Sequence, residues 1–381
     1  MPEPYQDRYT IQFHSFADMI SYHAEQTKCS QWERTEVKSL CVEPLDEGSP
    51  LYSDTSAFCG DTSEDAVKDT AKSLGLAIRA NGSLYPLRDT AYKSLLDRAK
   101  IGGTVLQKLQ RDTLARTLND CLATQKTAAA LLLIRRQKVS AVHSGDEKDY
   151  SILPIDELME GLKIKLDEHF AGNVFDVGYS DHSISSAAWS LPDQKDDLLG
   201  SYHKTLAAQG KPSLAAKLMP GVRFSSSDTG VASAKVSALL LGQRYPIHIG
   251  DVIATEHRKQ SKTGDFLGSL DMLFAQFGDT IKRLEELTDV YLDHPVNAMT
   301  AVCKYLRMPK KTALEAVAMF EMSHGGGTAT AHDVFMAMQE IMFILKTENT
   351  PERKMLSLEE SMARALTLNW PKYDYAKAVN W

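Results

Sequence analysis

Apolar residues recur at three-to-four spacing through Phe13, Phe16, Ala17, Ile20 and Ala24, which predicts a helical start within residues 13–40. Residues 43–61 set Pro44, Gly48, Pro50 and Gly60 among Ser and Asp and read as loop. Ser63 ahead of Glu64, Asp65 and Ala66 offers an N-cap and first-turn acids for a helix ending near Leu74, with Gly75 as its stop. At 76–87 the segments Ala77-Ile78-Arg79-Ala80 and Ser83-Leu84-Tyr85-Pro86 flank Asn81-Gly82. That pair suits a type I′ hairpin, whose two central residues both need positive φ.

Two helices are predicted next, one through Tyr92, Leu95, Leu96 and Ala99, the other from Val105 through Leu122, separated by Gly102-Gly103. The continuous apolar run 128–134 reads as a central strand and 139–143 as its return. An amphipathic helix follows over 155–170, with Leu158, Leu162 and Leu166 on one face. A strand pair is expected over 173–190 around Ser180-Asp181-His182, and three more strands at 222–226, 234–241 and 247–255. From about Ser269 the pattern is helical, with candidates at 270–289, 296–307, 312–323, 329–346 and 357–368. The sum is an α+β chain: a mixed, mainly antiparallel sheet with crossing helices, followed by an all-helical C-terminal region. The expected division is 1–75 (helix and loop), 76–262 (α+β core) and 263–381 (helical).

Length and composition fit this picture, with 381 residues, 43% hydrophobic and 24% charged. No apolar run is long enough to span a membrane, and residues 1–10 lack the apolar core of a signal peptide, so a cytoplasmic location in a bacterial host is expected. Cys29, Cys41, Cys59, Cys121 and Cys303 are odd in number and widely spaced, as expected of reduced thiols. His23, Cys29, Cys41 and Cys59 lack the close pairing of zinc ligands, and no metal or cofactor is expected.

Charge is distributed unevenly. Residues 79–138 carry 12 Lys and Arg against 4 Asp and Glu, and residues 200–262 carry 9 against 3, within a chain of net charge −7. Such interleaving suits one basic face on an otherwise acidic surface, and suits equally a set of cations paired with neighbouring acids. The candidate phosphate contacts are Arg135, Arg136 and Lys138 at a strand turn and Arg258, Lys259 and Lys262 after the last strand. Arg79, Arg223, Lys235 and Arg244 lie in or beside strands that could add to that face, and Tyr85 offers a ring on which a base could stack or which could fill the core. On this reading, replacing Arg135 and Arg136 by Glu lowers affinity without unfolding the chain.

Catalytic signatures are absent: no GxGxxG, P-loop, HExxH or GxSxG occurs, and Glu168-His169 and Glu256-His257 are isolated pairs. Gly325-Gly326-Gly327 lacks the Lys and preceding strand of a P-loop and reads as an inter-helix turn, with Thr328 or Thr330 as the next N-cap. The Met- and aromatic-rich stretch Phe335, Met336, Met338, Ile341, Met342, Phe343 covers more than one stripe, which predicts burial on two sides, by a neighbouring helix or by a partner subunit.

Four segments carry a resemblance: residues 131–144 (LLLIRRQKVSAVHS) followed by Tyr150 and Leu153; Pro220-Gly221-Val222-Arg223-Phe224 through Ser227-Asp228-Thr229-Gly230; the basic run at His257; and Thr330–Phe335 followed by residues 360–370. In this order, across residues 76–375, they resemble a family of phage- and plasmid-encoded proteins whose collective label is a domain of unknown function. Where that family has a Cys-x-Asn-Gly-like element, this chain has Ile247-His248-Ile249-Gly250. The resemblance implies residence on a mobile element and implies no reaction. A hairpin and twisted sheet crossed by helices is also similar in architecture to single-strand annealing proteins of recombination systems. The function expected is therefore non-enzymatic binding of nucleic acid, single-stranded DNA first, in recombination or replication, by a homo-oligomer. The alternatives are a self-assembling structural or protein-interaction component of a mobile element and an enzyme whose site follows no known motif.

Overall fold

The computed structural model describes residues 5–60, 62–125, 128–145, 149–242, 244–258 and 260–381. The chain is α+β with antiparallel sheets and a helical C-terminal region. No helix among the described residues is long and apolar enough to cross a membrane.

The chain begins with β1 (Ile11–Phe13) and α1 (Phe16–Lys28), whose N-cap Ser15 accepts from the Asp18 amide. Two strands then replace the expected continuation of helix and loop: β2 (Ser30–Glu36) and β3 (Cys41–Pro44). The short α2 (Pro50–Ser53) leads to α3 (Glu64–Lys72), capped by the Ser63 hydroxyl. The hairpin β4 (Leu76–Ala80) and β5 (Ser83–Pro86) turns through Asn81 and Gly82 at φ of 49° and 83°, as the Asn-Gly pair predicts. Helices α4 (Ala91–Ala99) and α5 (Arg111–Ala123) precede the apolar hairpin β6 (Ala129–Arg135) and β7 (Lys138–Ser144). Two three-stranded sheets result, β2-β6-β7 and β3-β4-β5. Leu95, Leu114, Leu118, Leu132 and Val142 pack between the helices and these strands in a smaller core.

A larger core takes the rest of the chain. α6 (Ile155–His169) buries Leu158, Leu162 and Leu166. After it come β8 (Val174–Ser180), β9 (Ser185–Ser190), α7 (Lys195–Ala208), α8 (Pro212–Lys217), β10 (Met219–Ser226), β11 (Ala234–Leu241) and β12 (Ile247–Thr255). They form a six-stranded sheet in the order β1-β8-β9-β10-β11-β12, antiparallel throughout. The long α9 (Thr263–Glu286) lays Phe266, Leu270, Leu273 and Phe277 into the same core as Trp189, Val222 and Phe224.

The C-terminal helices are α10 (Pro295–Tyr305), α11 (Lys310–His324), α12 (Ala331–Met338), α13 (Glu340–Thr347) and α14 (Glu352–Ala363). The stretch expected as one helix over 329–346 is thus two. Gly325 ends α11 in the left-handed region and Thr330 caps α12, so the three glycines form an inter-helix turn. Phe335, Met338, Ile341 and Met342 are buried in the larger core, by helices of the same chain.

These contacts redraw the expected divisions. Residues 1–75 are not a separate segment: they supply one strand to the six-stranded sheet and one to each three-stranded sheet. The helices after 263 share a core with the six-stranded sheet. The natural division is a contiguous stretch, about residues 30–145, around the smaller core, interrupting a larger core built from both flanks.

Candidate functional site

Burial and pairing sort the basic residues singled out by sequence. Arg135 is buried and its Nη2 bonds the Asp228 carboxylate, while its Nε donates to Ser30 Oγ at 2.9 Å. Lys138 is fully buried; its Nζ donates to Asp7 Oδ1 at 3.0 Å and Asp69 Oδ2 at 2.7 Å. The same Asp7 oxygen lies 3.3 Å from Nη1 of the buried Arg88. Arg223 is buried, its Nη1 donating to Glu359 Oε1 at 2.6 Å. Arg79 pairs with Glu43 at 2.9 Å, Arg136 with Glu25 at 3.5 Å, Lys235 with Glu360 at 2.6 Å and Arg244 with Glu340 at 3.3 Å. The Tyr85 ring is buried in the smaller core, where burial and the neighbouring Cys59 push its hydroxyl up to about 12.

The expected basic face therefore needs correction. Seven of the cations have carboxylate partners, three of them inside the protein, and Tyr85 offers no exposed ring. A buried cation held by a carboxylate stays because desolvating either charge alone is costly, and that same cost keeps it from a phosphate. Arg258 and Lys262 are exposed and have no carboxylate within ion-pair distance among the described residues. Lys259 lies outside the described residues.

The structure instead opens a cleft of about 680 Å3 where the two cores meet. One wall is α4, through Lys93, Ser94, Asp97 and Arg98; the facing wall is the β10–β11 loop at 229–233. His143 and Ser144 at the end of β7, Tyr150, and Glu256, His257 and Arg258 after β12 complete it. The loop is pinned by Asp228, whose backbone oxygen accepts from His143 Nε2 at 3.0 Å and from the Tyr150 hydroxyl at 2.8 Å. Burial alone would raise the Asp228 carboxyl, but the charge and hydrogen bond of Arg135 outweigh it and hold the group below its ordinary range. Arg135 thus braces the cleft from behind. Gly230 closes against His143: at its φ of +74°, a Cβ there would stand 2.9 Å from His143 Cε1, so the loop needs a glycine.

Aromatic rings build one wall. Tyr150 stacks on His143 with centroids 3.7 Å apart and planes 10° from parallel, and on His257 at 5.5 Å and 14°. Trp32 packs beside His143 and Tyr150 at 5.9 and 5.8 Å. Burial lowers His143 to about 4 and also lowers His257, so both imidazoles are neutral near pH 7. The formal charges of the lining are Lys93, Arg98 and Arg258 against Asp97, Asp149 and Glu256. Among the described residues no carboxylate comes within ion-pair distance of these three cations, and the half-buried Arg98 has an Nε with no hydrogen-bond partner. Burial lowers the Arg98 guanidinium from its ordinary value, opposed by the charges of Asp97 and Asp149. No group of three His, Cys, Asp or Glu side chains among the described residues is arranged to hold a metal ion.

Of the residues named from sequence, the cleft gathers Arg258 with His257, Tyr150 and His143. Lys93 and Arg98 escaped notice because they read as the polar side of an ordinary amphipathic helix. Comparison with known protein families, with curated proteins and with solved structures finds no match to this chain.

Proposed function

We propose that this chain binds nucleic acid, single-stranded DNA first, through the inter-core cleft and the Arg258–Lys262 strip beside it. The resemblance of residues 131–144 and their companion segments to phage- and plasmid-encoded proteins would make it an accessory of recombination or replication. One observation carries the reading: the cleft holds Lys93, Arg98 and Arg258 without carboxylate partners among the described residues, while the other singled-out cations whose placement is described, Lys262 apart, are neutralised. Unpaired cations beside stacked aromatic rings are the chemistry single strands use, with phosphates on the charges and bases against the rings.

The test is fluorescence anisotropy with labelled single- and double-stranded oligonucleotides over a salt series. Single strands bind the more tightly, affinity falls as salt rises, and Arg258→Glu with Lys262→Glu weakens binding and flattens the single-strand slope by about 1.4 units. Absence of binding at low salt overturns the reading.

A second reading, self-assembly, is favoured by the exposed Leu314, Met319 and Met322 of α11, since a second copy would remove that apolar surface from water.

A further inference from the structure

The cleft is small and mixed in sign, and both facts bear on what fills it. Its volume of about 680 Å3 lies within the roughly 300–1,000 Å3 of small-molecule sites. Channels that track single strands run over about 4–16 nucleotides and are positive along their length. Here three carboxylates share the lining with three cations. Such a lining takes a strand one phosphate at a time rather than along a continuous backbone. A ligand with one concentrated anion, several hydroxyl or amine donors and a flat ring matches it well.

Donors await an anion on both walls. Arg98 lines one wall with no carboxylate within ion-pair distance among the described residues. Across the cleft, the backbone N–H groups of Gly230, Ala232 and Ser233 donate to no protein acceptor among the described residues. The Val231 N–H between them donates to Ser227 Oγ at 3.4 Å, so Ala232 and Ser233 are the consecutive free pair, and free turn amides together with a guanidinium favour an anion. The carboxylates of Asp97, Asp149 and Glu256 are acceptors for sugar hydroxyls or exocyclic amines. The His143–Tyr150–His257 stack, ring packed on ring, lines the cleft with aromatic edges.

We propose that the cleft is a nucleotide pocket: it takes one nucleoside phosphate, free or at the end of a strand, with the phosphate on Arg98, Arg258 and the amides of Gly230, Ala232 and Ser233. This deepens the nucleic-acid reading and rests on the same cleft. It differs in predicting that one nucleotide unit suffices.

The experiment is isothermal titration of the full chain with each deoxynucleoside monophosphate, with inorganic phosphate, and with oligonucleotides bearing or lacking a 5′-phosphate. A monophosphate binds; inorganic phosphate binds at least about tenfold more weakly, since it lacks ring and sugar contacts. Arg258→Gln, at an exposed position that leaves the fold intact, weakens binding about tenfold or more, as does Arg98→Lys, which keeps the charge and loses the fork. If the 5′-phosphorylated oligonucleotide binds and is displaced by the monophosphate, the pocket reads strand ends. If the monophosphate binds and no oligonucleotide does, the pocket stands for free nucleotides and the strand-binding reading falls. Oligonucleotide binding that monophosphates do not displace leaves strand binding in place and overturns the pocket. No monophosphate binding up to about 1 mM, or binding that neither substitution changes, overturns it outright.

Discussion

At the scale of single residues, the cations of this chain differ by partner rather than by exposure alone. Arg135 and Arg136 are neighbours at one turn, yet the first is buried against Asp228 and the second, half-buried, reaches Glu25 at 3.5 Å. Arg135→Glu sets two carboxylates together in the interior and lowers the unfolding free energy by about 3–5 kcal/mol, whereas Arg136→Glu changes it by less than about 1 kcal/mol. Urea denaturation of the two variants checks this; equal midpoints would show that the Asp228 pair is not holding the loop. The expectation that both positions tolerate Glu is corrected at Arg135 by its buried partner Asp228. Sequence could not have separated them. The partners of Arg135, Lys138 and Arg223 lie 93, 131 and 136 residues away, and counting charge in a window cannot see a pair formed across the fold. Arg98 is the converse case, since nothing in its helix distinguishes it from a solvated arginine.

At the scale of elements, local chemistry was readable wherever it was strong. Asn81-Gly82, the Ser63 cap and the apolar run of β6 each became the element they predict. β2 was hidden because SQWERTE carries one large apolar residue, and its strand state comes from pairing with β6 over its whole length. α7 went unpredicted although Leu199, Tyr202 and Leu206 mark its buried face. The break between α12 and α13 was invisible for the opposite reason, an apolar pattern that continues across it. α11 carries its own prediction. Met322 is 86% exposed, so Met322→Lys costs no core packing. If α11 is a self-association face, wild type shows a concentration-dependent dimer by mass photometry and the variant shifts to monomer. A wild-type protein that stays monomeric throughout removes that reading.

At the scale of the whole molecule, both cores bury neutral histidines. Burial lowers His23, His143 and His332 to about 4 and His248 to about 3. Unfolding returns each to about 6.5, so between about pH 6.5 and 4 the unfolded chain binds protons that the folded chain refuses. Stability is complete above that window and is lost as the pH falls through it, with a slope approaching about 5 kcal/mol per pH unit near pH 5. Urea titrations across the window test this, and a flat profile down to about pH 5 would contradict neutral burial. One further feature, the pairing of the strand Ile11–Phe13 with residues 174–180, matters before the protein is finished. On a ribosome adding about 5–20 residues per second, β1 emerges on the order of 10 s before its partner. The contiguous unit of residues 30–145 can close meanwhile, but the sheet that β1 edges cannot. Translation speed between those two strands therefore sets how long an unpaired edge is offered to other nascent chains.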